Sequence, residues 1–211
     1  LPLGVISSME ALIFGLIIST AGIITLWFGL NLLTSILGII TLVSYTLVYT
    51  PLKQKTIANT WIGGITGALP PVMGWTASRG QLDFEVLPVF TLLYFWQLPH
   101  FFAIAWMYRE DYEKGGFRML TLGDKSGEKT GLQMLINGGM LFFASFGIYI
   151  IGQGKNLYLA GSSILGVIFL SVIIIFCFSR NTKNARNVFL ASVIYLPVLG
   201  TILILERFFL I

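Results

Sequence analysis

With 211 residues, 56% of them hydrophobic and only 10% charged, the chain carries more apolar surface than a water-soluble domain of its length can bury. Its net charge is +4, and Cys177 is its one cysteine, which excludes an intrachain disulfide and reads as a small apolar residue inside a span. Long apolar runs, without the short alternating segments of a porin-like barrel, imply an all-α, polytopic membrane helical bundle in which each crossing takes about 20 residues.

In chain order, residues 1–8, LPLGVISS, form a turn in which Ser7 or Ser8 is available to cap the first span, about Met9 to Phe28. No methionine stands at Leu1 and no basic segment, short apolar core and cleavage site follow it, so no signal peptide is expected and the chain is read as lacking its own beginning. A tight joint at Gly29 to Asn31 leads to a second span, about Leu32 to Tyr49. It is predicted to stop at Pro51, because proline removes a helical donor and disfavours helix at Thr50. After the polar loop PLKQKTIANT comes a third span, about Trp61 to Ser78, holding Gly63, Gly64, Gly67, Gly74, Pro70 and Pro71. Small residues let helices touch, and a broken helix at membrane depth needs protein or a wet cavity over its freed backbone, so this span is expected to be broken and to wall a cavity, the plainer alternative being a kinked packing helix with no ligand. The fourth span, about Val86 to Met107, carries Trp96, Pro99 and the only histidine, His100. It ends in a polar loop, Tyr108 to Thr130. Spans at about Gly131 to Ile151, Tyr158 to Ser179 and Val188 to Leu205 complete seven transmembrane helices in a single membrane-embedded domain over residues 1–211.

Loop charges orient the set. One side collects Lys53, Lys55, Arg109, Lys114, Arg118, Lys125, Lys129, Arg180, Lys183 and Arg186, leaving Arg79, Lys155 and Arg207 on the other. By the positive-inside rule the first side faces the cytoplasm of a bacterium or the mitochondrial matrix. The net charge follows from this asymmetry and gives no reason to invoke nucleic acid. The acidic pair Glu110 and Asp111 lies among Arg109, Lys114 and Arg118, where an apolar span meets water. Carboxylates beside lysines and arginines at the lip of an apolar cavity suit a diphosphate head on a lipid tail, with Mg²⁺ held by one or two carboxylates and phosphate oxygens. The plainer reading is a solvated Glu110–Lys114 pair at i, i+4 spacing. His100 within a span is costly and so is a candidate for binding a haem edge or iron, or for an interhelical hydrogen bond. Tyr49 and Lys53, a Y-x-x-x-K pair across Pro51, are a weak signal alone.

Three segments together, YTPLKQKTIANTWIGGITGALPPVMGWTAS, FWQLPHFFAIAWMYREDYEKGGFRML and VIYLPVLG, resemble the protoheme farnesyltransferase (haem O synthase) branch of the UbiA prenyltransferase superfamily. The resemblance spans essentially the whole chain and is most specific over residues 49–120. It implies a nine-helix fold around a central cavity, of which this chain supplies helices three to nine. It also implies transfer of farnesyl from farnesyl diphosphate to a vinyl group of haem B, in the bacterial cytoplasmic or mitochondrial inner membrane. The second acidic motif matches as R-E-D-Y-E-K-G-G, so Asp111 and Glu110 carry over as catalytic and Mg²⁺-binding residues. The D-x-x-x-D of other branches is not kept, because Gly115 stands four residues after Asp111. The first acidic motif, N/D-x-x-x-D, has no counterpart here, and the 211-residue piece is expected to be inactive alone. Diphosphate contacts are expected from Lys53, Lys55, Arg109, Lys114 and Arg118, with Tyr49 and Asn59 as polar supports, and haem contacts from His100 and Trp96. Haem A synthase, acting next toward haem A, is a candidate partner, and the lipid bilayer is the expected surroundings. The alternatives are prenyl transfer to a quinone precursor or chlorophyllide, and a seven-helix transporter or binding protein.

Overall fold

The computed structural model describes residues 5–209, without the side chain of Phe209, and every regular element among them is helical. Residues Leu1 to Gly4 of the expected opening turn lie outside the described residues. α1 (Ser8–Gly29) starts on the expected cap. Glu10 N–H donates to Ser7 Oγ at 3.2 Å and Ser7 N–H donates to the Glu10 carboxylate at 2.8 Å, a reciprocal capping box. α1 packs chiefly on α2 and buries no side chain within the protein, as suits a helix that is apolar all round.

The second span does not stop at Pro51. α2 (Leu32–Val43), a π-turn over Ser44–Tyr49 and α3 (Thr50–Lys55) form one rod, Leu32–Lys55. The wide turn bonds Thr50 N–H to the Tyr45 carbonyl and restarts the helical register, so Pro51 falls in the first turn of α3, where its missing donor is not needed. The predicted break at Pro70 and Pro71 is also corrected: α4 (Asn59–Arg79) is continuous. The two prolines withdraw donors from only two carbonyls, and α2 and α5 (Leu87–Met107) pack against the helix. Among the described residues, six helices are long and apolar enough to cross a membrane. α4, with 21 residues, is long enough, but its glycines, threonines and prolines make it less apolar, and it lies between α2 and α5.

α5 (Leu87–Met107), entered through a 3₁₀ turn at Phe84–Val86, is the central rod. It packs on α4 and also on α8 (Glu128–Ile150) and α10 (Thr182–Phe209), while α9 (Asn156–Phe178) packs on α8 and α10. Leu98, Phe102, Met134, Leu141, Ile173 and Phe176 are buried at that centre. Lipid tails are as apolar as leucine, so close packing and interhelical hydrogen bonds hold such a bundle together. Ser145 Oγ and Tyr195 OH are 2.8 Å apart between α8 and α10, and Cys177 Sγ lies 3.4 Å from the Gly131 carbonyl between α9 and α8.

The loop after α5 is partly helical, with α6 (Arg109–Lys114) and α7 (Leu120–Gly123). Buried Asp124 then caps α8, accepting from Thr130 N–H at 2.7 Å and from the Thr130 hydroxyl at 2.8 Å. Burial pushes its carboxyl up, but hydrogen bonds from Thr130, Ser126 and Gly127 outweigh this and hold it below the ordinary value. At the far end of the bundle, buried Glu206 caps α9 by accepting from the backbone N–H groups of Lys155, Leu157 and Tyr158. Contacts also sort the ends. Arg118 N–H donates to the Lys53 carbonyl at 2.7 Å, and Arg180 lies 3.5 Å from Glu128, which brings three basic loops to one end. Arg79 and Arg207 share a shallow cleft at the other.

Candidate functional site

A trough of about 650 Å³ runs between α1, the α2–α3 rod, α4 and α5, and its walls are almost wholly apolar. Gly63, Gly67 and Pro70 line it, so the expected cavity wall on this helix is present although the helix is unbroken. The glycines are needed for close approach. A Cβ on Gly63 would meet the Tyr49 ring at 2.5 Å, and one on Gly67 would collide with Gln97 Oε1. Toward the basic end a smaller hollow of about 110 Å³ is lined by Tyr49, Lys53, Asn59, Tyr112 and Phe117, among others. Tyr49 and Phe101 line both spaces, so the greasy trough leads to a polar rim.

Local geometry explains how the rim is assembled. The Lys53 ammonium lies 4.5 Å from the centre of the Tyr49 ring and 5.5 Å from that of Tyr45, on the same rod. Among the described residues no carboxylate pairs with it, so its charge is left for a ligand. Buried Asn59 Nδ2 donates to the Thr56 carbonyl at 2.7 Å and to the Arg118 carbonyl at 2.6 Å. With the Arg118–Lys53 backbone bond, these contacts pin the 115–119 loop against the start of α4. Tyr112, stacked edge-on with Phe117 at 5.7 Å, closes the hollow; burial raises its phenol above the ordinary value and keeps it a neutral hydroxyl.

The expected site residues do not all meet. Tyr49, Lys53 and Asn59 line the hollow, and Arg118 is bonded to it through its backbone. Glu110, Asp111 and Lys114 are exposed on α6, on the same end of the bundle as Lys53. Glu110 and Lys114 do not form the i, i+4 ion pair, and neither carboxylate has a cation partner among the described residues. Arg109 stacks its guanidinium 4.7 Å from the Trp106 ring, and Lys55 is exposed beyond the hollow. Trp96 and His100 face α10. Trp96 Nε1 donates to the Ser192 carbonyl at 2.7 Å, and His100 Nδ1 lies 2.8 Å from Ser192 Oγ with the Trp96 and Phe189 rings 5.2 and 5.0 Å away. Sequence reasoning missed Tyr112, Phe117, Thr60 and Gln97. Tyr112 sits inside the acidic motif and was within reach, whereas only the fold brings Gln97 to Gly67.

The pattern described as the UbiA prenyltransferase family matches residues 1–195. This chain belongs to the UbiA prenyltransferase family. Curated relatives of this UbiA prenyltransferase include "Protoheme IX farnesyltransferase" from Solibacter usitatus, 41% identical over 98% of the chain and 71% of the relative. The protein of the same name from Koribacter versatilis is 35% identical over 97% of the chain and 68% of the relative. "Protoheme IX farnesyltransferase, mitochondrial" from Arabidopsis thaliana is 37% identical over 98% of the chain and 48% of that longer protein. A solved structure reported under insights into digeranylgeranylglyceryl phosphate synthase in membranes is similar in fold. Its TM-score is 0.77 at 20% identity, covering 97% of this chain and 72% of that one. The UbiA assignment and the apolar helices together make the protein an integral membrane protein.

Proposed function

We propose that this UbiA prenyltransferase moves the farnesyl group of farnesyl diphosphate onto a vinyl group of haem B, making haem O. The observation that carries the acceptor is the likeness, over nearly the whole chain, to three proteins named for protoheme farnesylation. The trough supports the donor, since an apolar channel ending under a half-buried lysine suits a prenyl tail with an anionic head.

On this reading the farnesyl chain lies in the trough and its diphosphate reaches the rim. Lys53 and the neutral Tyr112 hydroxyl contact the diphosphate, and Arg118 and Lys114 add positive charge from the loop. Asn59, with its amide spent on two carbonyls, positions the loop. The C1–O bond breaks and its electron pair leaves on diphosphate, which these cations stabilise as charge develops. C1 then bonds to the vinyl group, and water adds to the resulting cation and gives up a proton to the departed diphosphate. Apolar walls keep other water from the reacting carbon. Glu110 and Asp111, adjacent and without a cation partner, fit the lean donor set of Mg²⁺, one or two carboxylates completed by phosphate and water. They would hold the ion, and it would supply further charge stabilisation to the leaving group. The basic end then faces the cytoplasm or matrix.

The test is a competition. Membranes carrying the full-length protein receive labelled farnesyl diphosphate with haem B, a quinone precursor and chlorophyllide together. Label is expected in a haem heavier by one farnesyl and one hydroxyl group, and Asp111→Asn should reduce it by roughly 10²-fold while the protein stays in the membrane. Label in a quinone or chlorophyll product alone would overturn the acceptor.

A further inference from the structure

Inside the trough one patch brings together acceptors that lack a donor. Gln97, 5% exposed, donates through Nε2 to the Gly64 carbonyl at 2.6 Å, and its Oε1 is turned onto the bare Cα of Gly67. Among the described residues no hydrogen-bond donor reaches Oε1, yet the oxygen is not sealed in protein. Beside it, Pro70 and Pro71 have no N–H to give to the carbonyls of Thr66 and Gly67, the residues four positions earlier. Thr66, Gly67, Pro70 and Gln97 all line the trough. Gln97 Oε1 and the two carbonyls that the prolines leave without their helical donor thus belong to residues that line one largely apolar space.

Such a patch is unfavourable in an empty greasy channel, because a carbonyl away from water and without a donor keeps its desolvation cost. It becomes favourable when a positively polarised group sits against it. Its depth matters too. Gly67 lies one helical turn below Gly63, where α4 touches Tyr49, a distance of about 6 Å along the axis. A diphosphate held at Lys53, beside Tyr49, therefore directs the start of its prenyl chain down α4 toward these oxygens.

We propose that Gln97 Oε1, together with the carbonyls of Thr66 and Gly67, stabilises the positive charge that develops on the allylic carbon as diphosphate leaves. The proposal rests on the prenyl-transfer reading above and adds to it the group that faces the cation. Lys53 and its neighbours favour the leaving anion, and the oxygen patch favours the carbon left behind, so the two ends of the breaking bond are served by opposite charge. Pro70 and Pro71 create the acceptors by withholding donors, and Gly67 leaves room for Gln97 to reach them.

The experiment uses the full-length protein and measures both transfer to haem and release of inorganic diphosphate. Gln97→Met, similar in volume but without an acceptor oxygen, should lower kcat by roughly 10²-fold with KM for farnesyl diphosphate nearly unchanged. Gln97→Glu, which keeps an oxygen at that point, should recover most of the rate. Gly67→Ala, whose methyl displaces Oε1, should slow the reaction without touching the glutamine, and it decides the matter if Gln97→Met fails to fold. Wild-type kcat in Gln97→Met, or an equal loss in Gln97→Glu, would overturn the proposal. Release of diphosphate by the wild type without transfer to haem would overturn only the acceptor, because the Gln97 effect would still be read on release. A wild type that consumes no farnesyl diphosphate would overturn both.

Discussion

A single histidine in a membrane span invites a cofactor, and His100 shows how the surroundings change that reading. Its Nδ1 is committed to Ser192 and aromatic rings lie close to it on either side. Together with Trp96 it ties α5 to α10, on the face of α5 next to the one that carries Gln97 and Phe101, whose ring lies 5.6 Å from that of His100. Interhelical hydrogen bonds in lipid average about 0.6 kcal/mol, so each tie is modest and the pair acts with the packing around it. His100→Ala is therefore expected to lower the melting temperature in detergent and to leave farnesyl diphosphate affinity nearly unchanged. Selective loss of haem retention in that variant would support the expected haem contact at His100 instead. Tyr49 and Lys53 are the opposite case. Their four-residue spacing was weak as a signal, but a helix unbroken at Pro51 places the ammonium over the ring. Asn59 was legible as a polar residue near the rim; its partners, the Arg118 and Thr56 carbonyls, were not, since one of them lies 59 positions away.

Among the elements, hydrophobic runs located every long helix, because a span in lipid must satisfy its own backbone, but the rod runs six residues past Tyr49 to Lys55 and α10 starts at Thr182, six residues before Val188. Proline misled at two points. Pro51 and the Pro70–Pro71 pair read as stops, yet a π-turn absorbs the first and neighbouring helices support the second. The polar loop from Tyr108 to Thr130 hid two short helices and the α8 cap, whose donor–acceptor pattern depends on a fold-back that spacing alone does not reveal. That cap carries a pH signature. Asp124 titrates below its ordinary value in the folded protein, so its contribution is complete above the unfolded value of about 3.9 and is lost as pH falls through the lower folded one. At pH 7 Asp124→Asn should cost about 1 kcal/mol of stability, read as a lower melting temperature. The gap between variant and wild type should narrow progressively as both are melted at pH values falling below the unfolded one. A gap that persists unchanged in acid would show that the carboxylate charge is not what caps α8.

For the whole molecule, the uneven distribution of basic residues already separated the two ends, and the contacts of Lys53 with Arg118 and of Arg180 with Glu128 agree with that division. What the sequence could not convey is which side of α5 holds the channel. α5 is apolar all round, with aromatic residues on every face, so its pattern distinguishes no wall; only the packing of α4 on one flank and of α8 and α10 on the other does. The account depends on substrate lying between the α2–α3 rod, α4 and α5, with its head under Lys53. The direct measurement is photolabelling of the full-length protein in its membrane with a farnesyl diphosphate analogue that carries a diazirine on the prenyl chain, followed by peptide mapping. Label is predicted on the trough wall, at Thr66 to Met73 of α4 and at Gln97 and Phe101 of α5, and it should be displaced by unmodified farnesyl diphosphate. Displaceable label confined to the Trp96, His100 and Ser192 side, or to α8 and α9, would contradict the account.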